Sequence, residues 1–400
     1  MRGVLTLIVA VILVLSPILA GQDQAKVSFT NDELEQIEAI NCFGFKFFHT
    51  FCELDTADNI VISPFSMHYA LGMTNNLAFS DTKDSIDEVL CVSGTNVRLV
   101  NNRYFGLMEK MPALDSNVIL EIANSIWVRG GIAKEYSDLF TRRFNADVNT
   151  RDFDDPKTRE EINDWVSKKT HGKIKFALEK PIPGGAVMYL MNTVYLEALW
   201  SSQFSIENNL TGKFFVTNEE SLQWETMSQK SSYSYFINED LRGIEIPYGK
   251  GVFSLLVFVP PNPSDIDELA KSFIQDSLES WTSRMETDSV TLFLPKIKVI
   301  YGGDIGGILA NMGMSKAFNG GTACFPGALY IGQALHKTSF QMDEEGTIAA
   351  AFSSIRLDSI REPNSGAKFY VDRPFLLVIR DNYTHGILFI GKIKRPVWED

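Results

Sequence analysis

Four hundred residues, 45% hydrophobic and 22% charged, are enough for a large packed core, and length alone allows one to three domains. A formal net charge of −13 stands against non-specific binding to nucleic acid or to an anionic membrane, and no run of Lys or Arg is longer than two. The sequence holds no G-x-S-x-G, H-E-x-x-H, G-x-x-x-x-G-K-[ST] or G-x-G-x-x-G pattern, and its five histidines, at positions 49, 68, 171, 336 and 385, are scattered, so no enzyme is expected.

Met1-Arg2, the apolar run over 4–15 and Ser16-Pro17-Ile18-Leu19-Ala20-Gly21 have the three parts of a secretory signal peptide, with cleavage expected after Ala20. No second apolar stretch approaches spanning length, so no membrane association is expected once the leader is gone. Asn31-Asp32-Glu33 is expected to cap an amphipathic helix over 34–54. Cys42, Cys52, Cys91 and Cys324 form an even set, and export permits disulfides. Cys42 and Cys52 share the first helix about 15 Å apart along its axis and cannot bridge each other. Free thiols and one or two bridges both stay open. With no C-x-x-C spacing and no clustered histidines, neither zinc nor another cofactor is expected.

Asn59-Ile60-Val61-Ile62-Ser63-Pro64-Phe65-Ser66 reads as a short buried strand that feeds directly into a helix continuing over 67–78. Ser63 can cap that helix, and Pro64 suits its first turn. Helices are predicted over 82–90 and 97–111, a strand over 119–128, and a helix over 158–170 that starts behind Asp155-Pro156 and stops at Gly172. A long alternating strand over 186–199 ends at Trp200. Strands follow over 243–247 and 252–259, and Pro260-Pro261-Asn262-Pro263-Ser264 makes a rigid turn before a helix from Asp265. Another strand is predicted over 290–299, whereas the helix behind Asp304 is weakened by Gly306-Gly307, each costing about 1 kcal/mol against alanine. Strands over 375–380 and 386–393 close the chain as a hairpin. Asn209-Leu210-Thr211 and Asn382-Tyr383-Thr384 are glycosylation sequons, with Asn209 and Asn382 as the acceptors.

The stretch from Leu335 to Pro374 organises the rest. A strand pattern (Leu335, Thr338, Phe340, Met342) leads into about twenty residues with neither a helical nor a turn-dense pattern, and a strand resumes at Lys368-Phe369-Tyr370-Val371. Loops of that length inside a compact domain are functional or disordered. Thr347, Ala349, Ala351 and Ser353 share one phase of a two-residue period, while Ile348 and Phe352 fall in the other. Such a segment can slide into an existing sheet with its small side chains over the core and its bulky ones outward. Its new ladder hydrogen bonds, roughly 1 kcal/mol net each, stabilise the inserted form by on the order of ten kcal/mol.

Asp343-Glu344-Glu345-Gly346-Thr347 followed by Ala349-Ala350-Ala351 resembles the proximal hinge of the serpins, and Asp372-Arg373-Pro374-Phe375-Leu376 resembles the strand behind their reactive loop. The segment Asn59 to Ser66 is similar to the one entering the serpin shutter helix. Glu161-Ile162-Asn163-Asp164-Trp165-Val166 with Thr170-His171-Gly172-Lys173-Ile174 is similar to the helix lying across the main sheet. The match continues through Leu309, Met312-Gly313-Met314 and Lys316-Ala317-Phe318, in unbroken order over roughly 30–397.

The resemblance implies an α+β serpin fold with three β-sheets, about eight to nine helices and an exposed reactive-centre loop at about 344–367. A single domain would occupy 21–400 behind a signal peptide at 1–20. It further implies a shutter of Ser63, Ser66, Asn192 and His336, a breach at Trp200, and a hinge of Glu344, Glu345, Gly346, Thr347, Ala349, Ala350, Ala351 and Ser353. Glu344 is expected to pair with a base near the breach. His336 is expected to bond Asn192 or the helix start at Ser63 to Ser66, and a buried histidine there could make loop insertion pH-sensitive.

The function implied is a secreted, monomeric suicide-substrate inhibitor of serine proteases. The protease cuts the loop, the acyl-enzyme forms, and insertion of the freed segment distorts the tethered protease. Family spacing from Gly346 places the cut at Ile360-Arg361, which suits an elastase-like target. A shift of one gives Arg361-Glu362, a trypsin-like bait poorly followed by Glu362 and Pro363. Heparin is not an expected partner, because the 97–111 helix offers only Arg98, Arg103 and Lys110 beside Glu109. The competing reading is a non-inhibitory serpin serving as carrier, storage protein or chaperone. Ile348 replaces the glutamate usual in the family and Phe352 is larger than usual, but both lie in the outward phase.

Overall fold

The computed structural model describes residues 27–347 and 366–399. The expected leader, the hinge positions Ala349, Ala350, Ala351 and Ser353, and the bait residues Ile360, Arg361 and Glu362 lie outside the described residues.

Helix α1 spans Asn31–Leu54, and its N-cap is Thr30 rather than the expected Asn31-Asp32-Glu33. The Thr30 hydroxyl accepts from the Glu33 amide at 3.2 Å and the Glu33 carboxylate accepts from the Thr30 amide at 2.7 Å, a reciprocal pair that satisfies two end donors at once. Strand β1 (Asn59–Ile62) leads through Ser63 into α2 (Pro64–Asn75), which is buried along its whole length. Helices α3 (Ser80–Val89) and α4 (Val97–Lys110) pack beside it, and Gly72 of α2 makes room for the Tyr104 ring, which would lie 2.4 Å from an added Cβ. Strand β2 (Val118–Val128) follows, then α5 (Lys134–Phe144), β3 (Ala146–Thr150), α6 (Pro156–Lys169) capped by Asp155, and β4 (Met188–Leu199).

The middle of the chain supplies β5 (Leu210–Phe215), β6 (Ser221–Ile237), β7 (Arg242–Tyr248), β8 (Phe253–Val259), α7 (Ile266–Lys271) and α8 (Gln275–Thr282). The strand predicted over 290–299 is two strands, β9 (Glu286–Pro295) and β10 (Ile297–Asp304), which belong to different sheets. Pro295 has no amide hydrogen to continue the ladder, and Lys296 sits at the crossing. Behind it, helix α9 (Gly306–Leu309) starts at the two glycines and passes into a π-helical stretch that Gly313 interrupts with a φ of 124°. The last elements are β11 (Gln333–Met342), β12 (Gly346–Thr347), β13 (Ala367–Tyr370), β14 (Phe375–Asp381) and β15 (Ile387–Ile393).

Among the described residues the strands form two hydrogen-bonded sheets. Six strands run in the order β10-β11-β12-β4-β2-β3, and nine in the order β1-β15-β14-β8-β7-β6-β9-β13 with β5 on β6. The α+β architecture matches expectation, but the second and third sheets expected from the sequence are continuous. The long β6 pairs with β9 from Thr226 to Tyr235 and with β7 from Ser234 to Ile237, and so joins them. Helix α2 lies between the two sheets, touching β4 and β2 on one side and β15 on the other. That position sets the functional geometry: the start of α2 faces the middle of the six-stranded sheet.

Candidate functional site: the shutter, the breach and a seated hinge

The buried strand-to-helix turn at Ser63 places three polar groups where only the six-stranded sheet can satisfy them. The Ser63 hydroxyl caps α2 by accepting from the Ser66 amide at 3.3 Å. The Ser63 amide donates to His336 Nε2 at 3.1 Å. The parallel register of β11 on β4 sets His336 opposite Asn192, and His336 Nδ1 donates to Asn192 Oδ1 at 3.0 Å. Asn192 Oδ1 also accepts from the Ser66 hydroxyl, while its Nδ2 donates to the Ser66 carbonyl at 3.0 Å and to Asn124 Oδ1 at 2.8 Å. Ser63, Ser66, Asn192 and His336 are all buried.

The acceptor role of Nε2 fixes a neutral ring with its proton on Nδ1. Burial drives the His336 pKa down to about 3. The expected pH sensitivity therefore moves out of the physiological range, because this ring stays neutral from mildly acidic pH upward.

At the top of β4, Trp200 stacks on Tyr248 with centroids 4.5 Å apart and planes within 10°. It holds the β11 to β12 turn by two bonds, its indole nitrogen donating to the Asp343 carbonyl at 2.8 Å and its amide to the Glu345 carbonyl at 2.9 Å. The Phe204 amide donates to the Glu344 carbonyl at 2.9 Å. Inside the turn, Asp343 Oδ1 accepts from the amides of Glu345 and Gly346 at 3.0 and 3.3 Å.

The base that pairs with Glu344 is Lys296, 3.1 Å away, and the Asn209 side-chain amide also donates to this carboxylate. Burial would raise the Glu344 pKa, but the hydrogen bonds from Asn209 and Lys296 and the charge of Lys296 hold it below the usual carboxylate range.

From this turn the hinge enters the sheet. Strands β11 and β4 pair directly only from Gln333 to Thr338 against Tyr189 to Val194. Above that point Gly346 and Thr347 sit between them, antiparallel to both, with Thr347 opposite Met342 on one side and Ala198 on the other. A side chain at Gly346 does not fit, since an added Cβ would lie 2.0 Å from the Ala198 carbonyl oxygen. Thr347 is buried, and its hydroxyl meets the Tyr248 hydroxyl at 2.5 Å. The described sheet is thus closed below and wedged open above by the first residues of the loop.

Both sequon nitrogens are spent within the fold. Asn209 Nδ2 donates to Glu344 and, at 2.9 Å, to Glu225. Asn382 Nδ2 donates to the Gly251 carbonyl at 3.0 Å and to the Ser254 hydroxyl at 2.7 Å. A sugar on either nitrogen replaces one hydrogen and removes one of these bonds. Of the cysteines, Cys42 and Cys91 form a disulfide between α1 and the end of α3, while Cys52 and Cys324 are free thiols.

Sequence reading placed Glu344, Trp200, Asn192, His336, Ser63 and Ser66 in these regions, and the structure brings the last four into one network. It did not find Lys296, Tyr248 or Asn124, nor the pairing of Asn209 with the hinge. The one available signal was Pro295-Lys296, a proline and a charge interrupting a strand pattern.

The arrangement has its parallel in known proteins. The profile of the family described as Serpin (serine protease inhibitor) matches residues 38–396. Serpin B12 of Homo sapiens is 31% identical over 396 residues, covering 88% of this chain and 98% of that protein. Iripin-3 of Ixodes ricinus is 29% identical over 350 residues, covering 84% and 88%. Among solved structures, the thermophilic serpin tengpin in its native state superposes with a TM-score of 0.81 at 28% identity, covering 92% of this chain and 95% of its own. Human thyroxine-binding globulin complexed with thyroxine shares the fold, with a TM-score of 0.82 at 23% identity over 92% of this chain and 100% of its own. The chain belongs to the serpin family.

Proposed function

We propose that this protein is a secreted, monomeric inhibitor of serine proteases that works by loop cleavage, acyl-enzyme trapping and strand insertion. The observation that carries this reading is the hinge itself, with Gly346 and Thr347 already seated as a strand between β4 and β11. An edge so presented is a template for the rest of the loop. Insertion extends this ladder downward and parts the direct β11 to β4 pairing, with Asn192 and His336 as the last latch before the sheet opens. The inhibitor needs no catalytic residues, since the protease performs the acylation. Secretion is supported by the N-terminal leader pattern and by the Cys42–Cys91 disulfide, which suits an oxidising compartment. The bait is the Ile360-Arg361 bond for an elastase-like protease, with Arg361-Glu362 for a trypsin-like one as the second choice.

The test is to mix the protein with elastase and, separately, with trypsin, run denaturing gels and weigh any released peptide. A band at the summed mass, with a peptide beginning at Arg361 or Glu362, is the expected outcome. Clean cleavage across a wider protease panel without such a band would overturn inhibition and leave a carrier, storage or chaperone role for the same fold.

A further inference from the structure

The residues behind β15 return to the breach. The Lys298 amide donates to the Val397 carbonyl at 2.8 Å, the Glu399 amide donates to the Lys298 carbonyl at 3.0 Å, and the Glu399 carboxylate accepts from the Ile300 amide at 2.8 Å. Trp398 thereby forms a parallel bridge opposite Lys298. In the described strand order β10 is the outermost strand of the six-stranded sheet, so this tail covers a sheet edge.

Its indole serves a second purpose. The Lys296 ammonium lies 5.2 Å from the Trp398 ring centroid, and the same ammonium reaches Glu344 at 3.1 Å and Glu225 at 3.3 Å. The Lys296 backbone is already fixed, because its carbonyl accepts from the Trp224 indole at 2.6 Å and its amide donates to the Glu225 carbonyl at 3.1 Å. What remains to be fixed is the direction of the side chain. Glu225 is more than half exposed and Glu344 is buried, so water competes for the cation from the Glu225 side. The indole occupies the outer face and supplies a π surface that stabilises the ammonium where it meets Glu344.

We propose that Trp398 is a positioning residue for loop insertion: the C-terminal tail holds Lys296 on Glu344 and so sets how readily the hinge leaves the gap between β4 and β11. This rests on the insertion reading of the hinge. Without the indole, Glu225 and water take a larger share of the Lys296 ammonium, at the expense of Glu344. The hinge turn loosens, and the upper gap becomes free to accept another strand more often.

The experiment follows uptake of a labelled peptide copying residues 346–359 by the full chain, comparing wild type with W398A, W398L and W398F. W398A and W398L are expected to take up the peptide about fivefold faster, the factor equivalent to about 1 kcal/mol. W398F, which keeps an aromatic face, is expected to stay near wild type. In an E344Q background the W398A effect should vanish, because the link acts through the Lys296 to Glu344 pair. A general loosening of the tail would instead raise uptake equally in both backgrounds and in W398F, and that result, or unchanged uptake in W398A, would overturn the inference while leaving the insertion reading intact. No peptide uptake by wild type or any variant would remove the insertion reading itself, and the inference with it.

Discussion

At the scale of single residues, the design turns on polar groups that have no alternative partner. His336 sits on β11, accepts a hydrogen bond from the Ser63 amide and donates one to Asn192, which ties the start of α2 to strands β11 and β4. A histidine whose pKa falls from its usual 6.5 to about 3 on folding takes up its proton first in the unfolded chain. Its stabilisation is complete above the unfolded value and is lost as the pH drops toward 3. His336 is therefore expected to make stability fall by about 1.4 kcal/mol per pH unit between about pH 5.5 and 4. Denaturant titrations of wild type and His336→Gln across that range should differ in slope by this amount, and equal slopes would show that the ring is not buried neutral. His68, on α2, is lowered to about 4 and contributes with the same sign.

Gly346 carries a second residue-scale expectation. An added Cβ would strike the Ala198 carbonyl, so Gly346→Ala cannot keep its hinge seated. It should be cut by target protease at an undiminished rate while the yield of trapped complex falls at least tenfold. A variant that traps as well as wild type would show the seated conformation to be dispensable. Ser63 and Ser66 stand out in the sequence within the Asn59 to Ser66 motif, whereas Asn192 and His336 are single polar residues in strands that only the serpin resemblance singles out. Lys296, Tyr248 and Asn209 were not legible as hinge contacts, since each meets the hinge only through the fold. Asn209 and Glu344, for example, are 135 positions apart.

At the scale of elements, legibility followed hydrophobic pattern. The fully buried and mostly apolar β8, β14 and β15 and the amphipathic α1 announce themselves, because one environment surrounds each face. Strand β6 does not. Its sequence is dense in serine, and half-exposed positions dilute the alternation, yet it is the strand that fuses two expected sheets into one. The run over 290–299 reads as one strand because apolar residues resume directly behind the interruption at Pro295-Lys296, although the chain changes sheet there. The Cys42–Cys91 bond was left open because pairing depends on where α3 ends relative to α1. It closes a loop with a sequence separation of 49, and Cys91→Ser is expected to lower stability by about 2–4 kcal/mol in denaturant titration. Reductant should lower the wild type by a similar amount and leave the variant unchanged; a variant as stable as the oxidised wild type would show that the bond carries no constraint.

At the scale of the whole molecule, the six-stranded sheet holds two structures at once. Its lower half is closed by direct pairing of β11 with β4, and its upper half holds the first two residues of a strand that could continue. The period-two alternation of small residues at Thr347, Ala349, Ala351 and Ser353 with Ile348 and Phe352 is the sequence basis for expecting such a continuation, and beyond Thr347 it lies outside the described residues. What the sequence could not show is that the first pairings are already made, because a register between strands is a property of two segments and not of one. On this view the intact chain stores on the order of ten kcal/mol that full insertion releases. The most direct measurement is thermal and denaturant unfolding of the protein before and after a single cut in the loop between residues 354 and 362. The cut form is expected to resist heat and denaturant far beyond the intact form while remaining one folded species. A cut form that unfolds at the same point as the intact protein, or earlier, would contradict insertion.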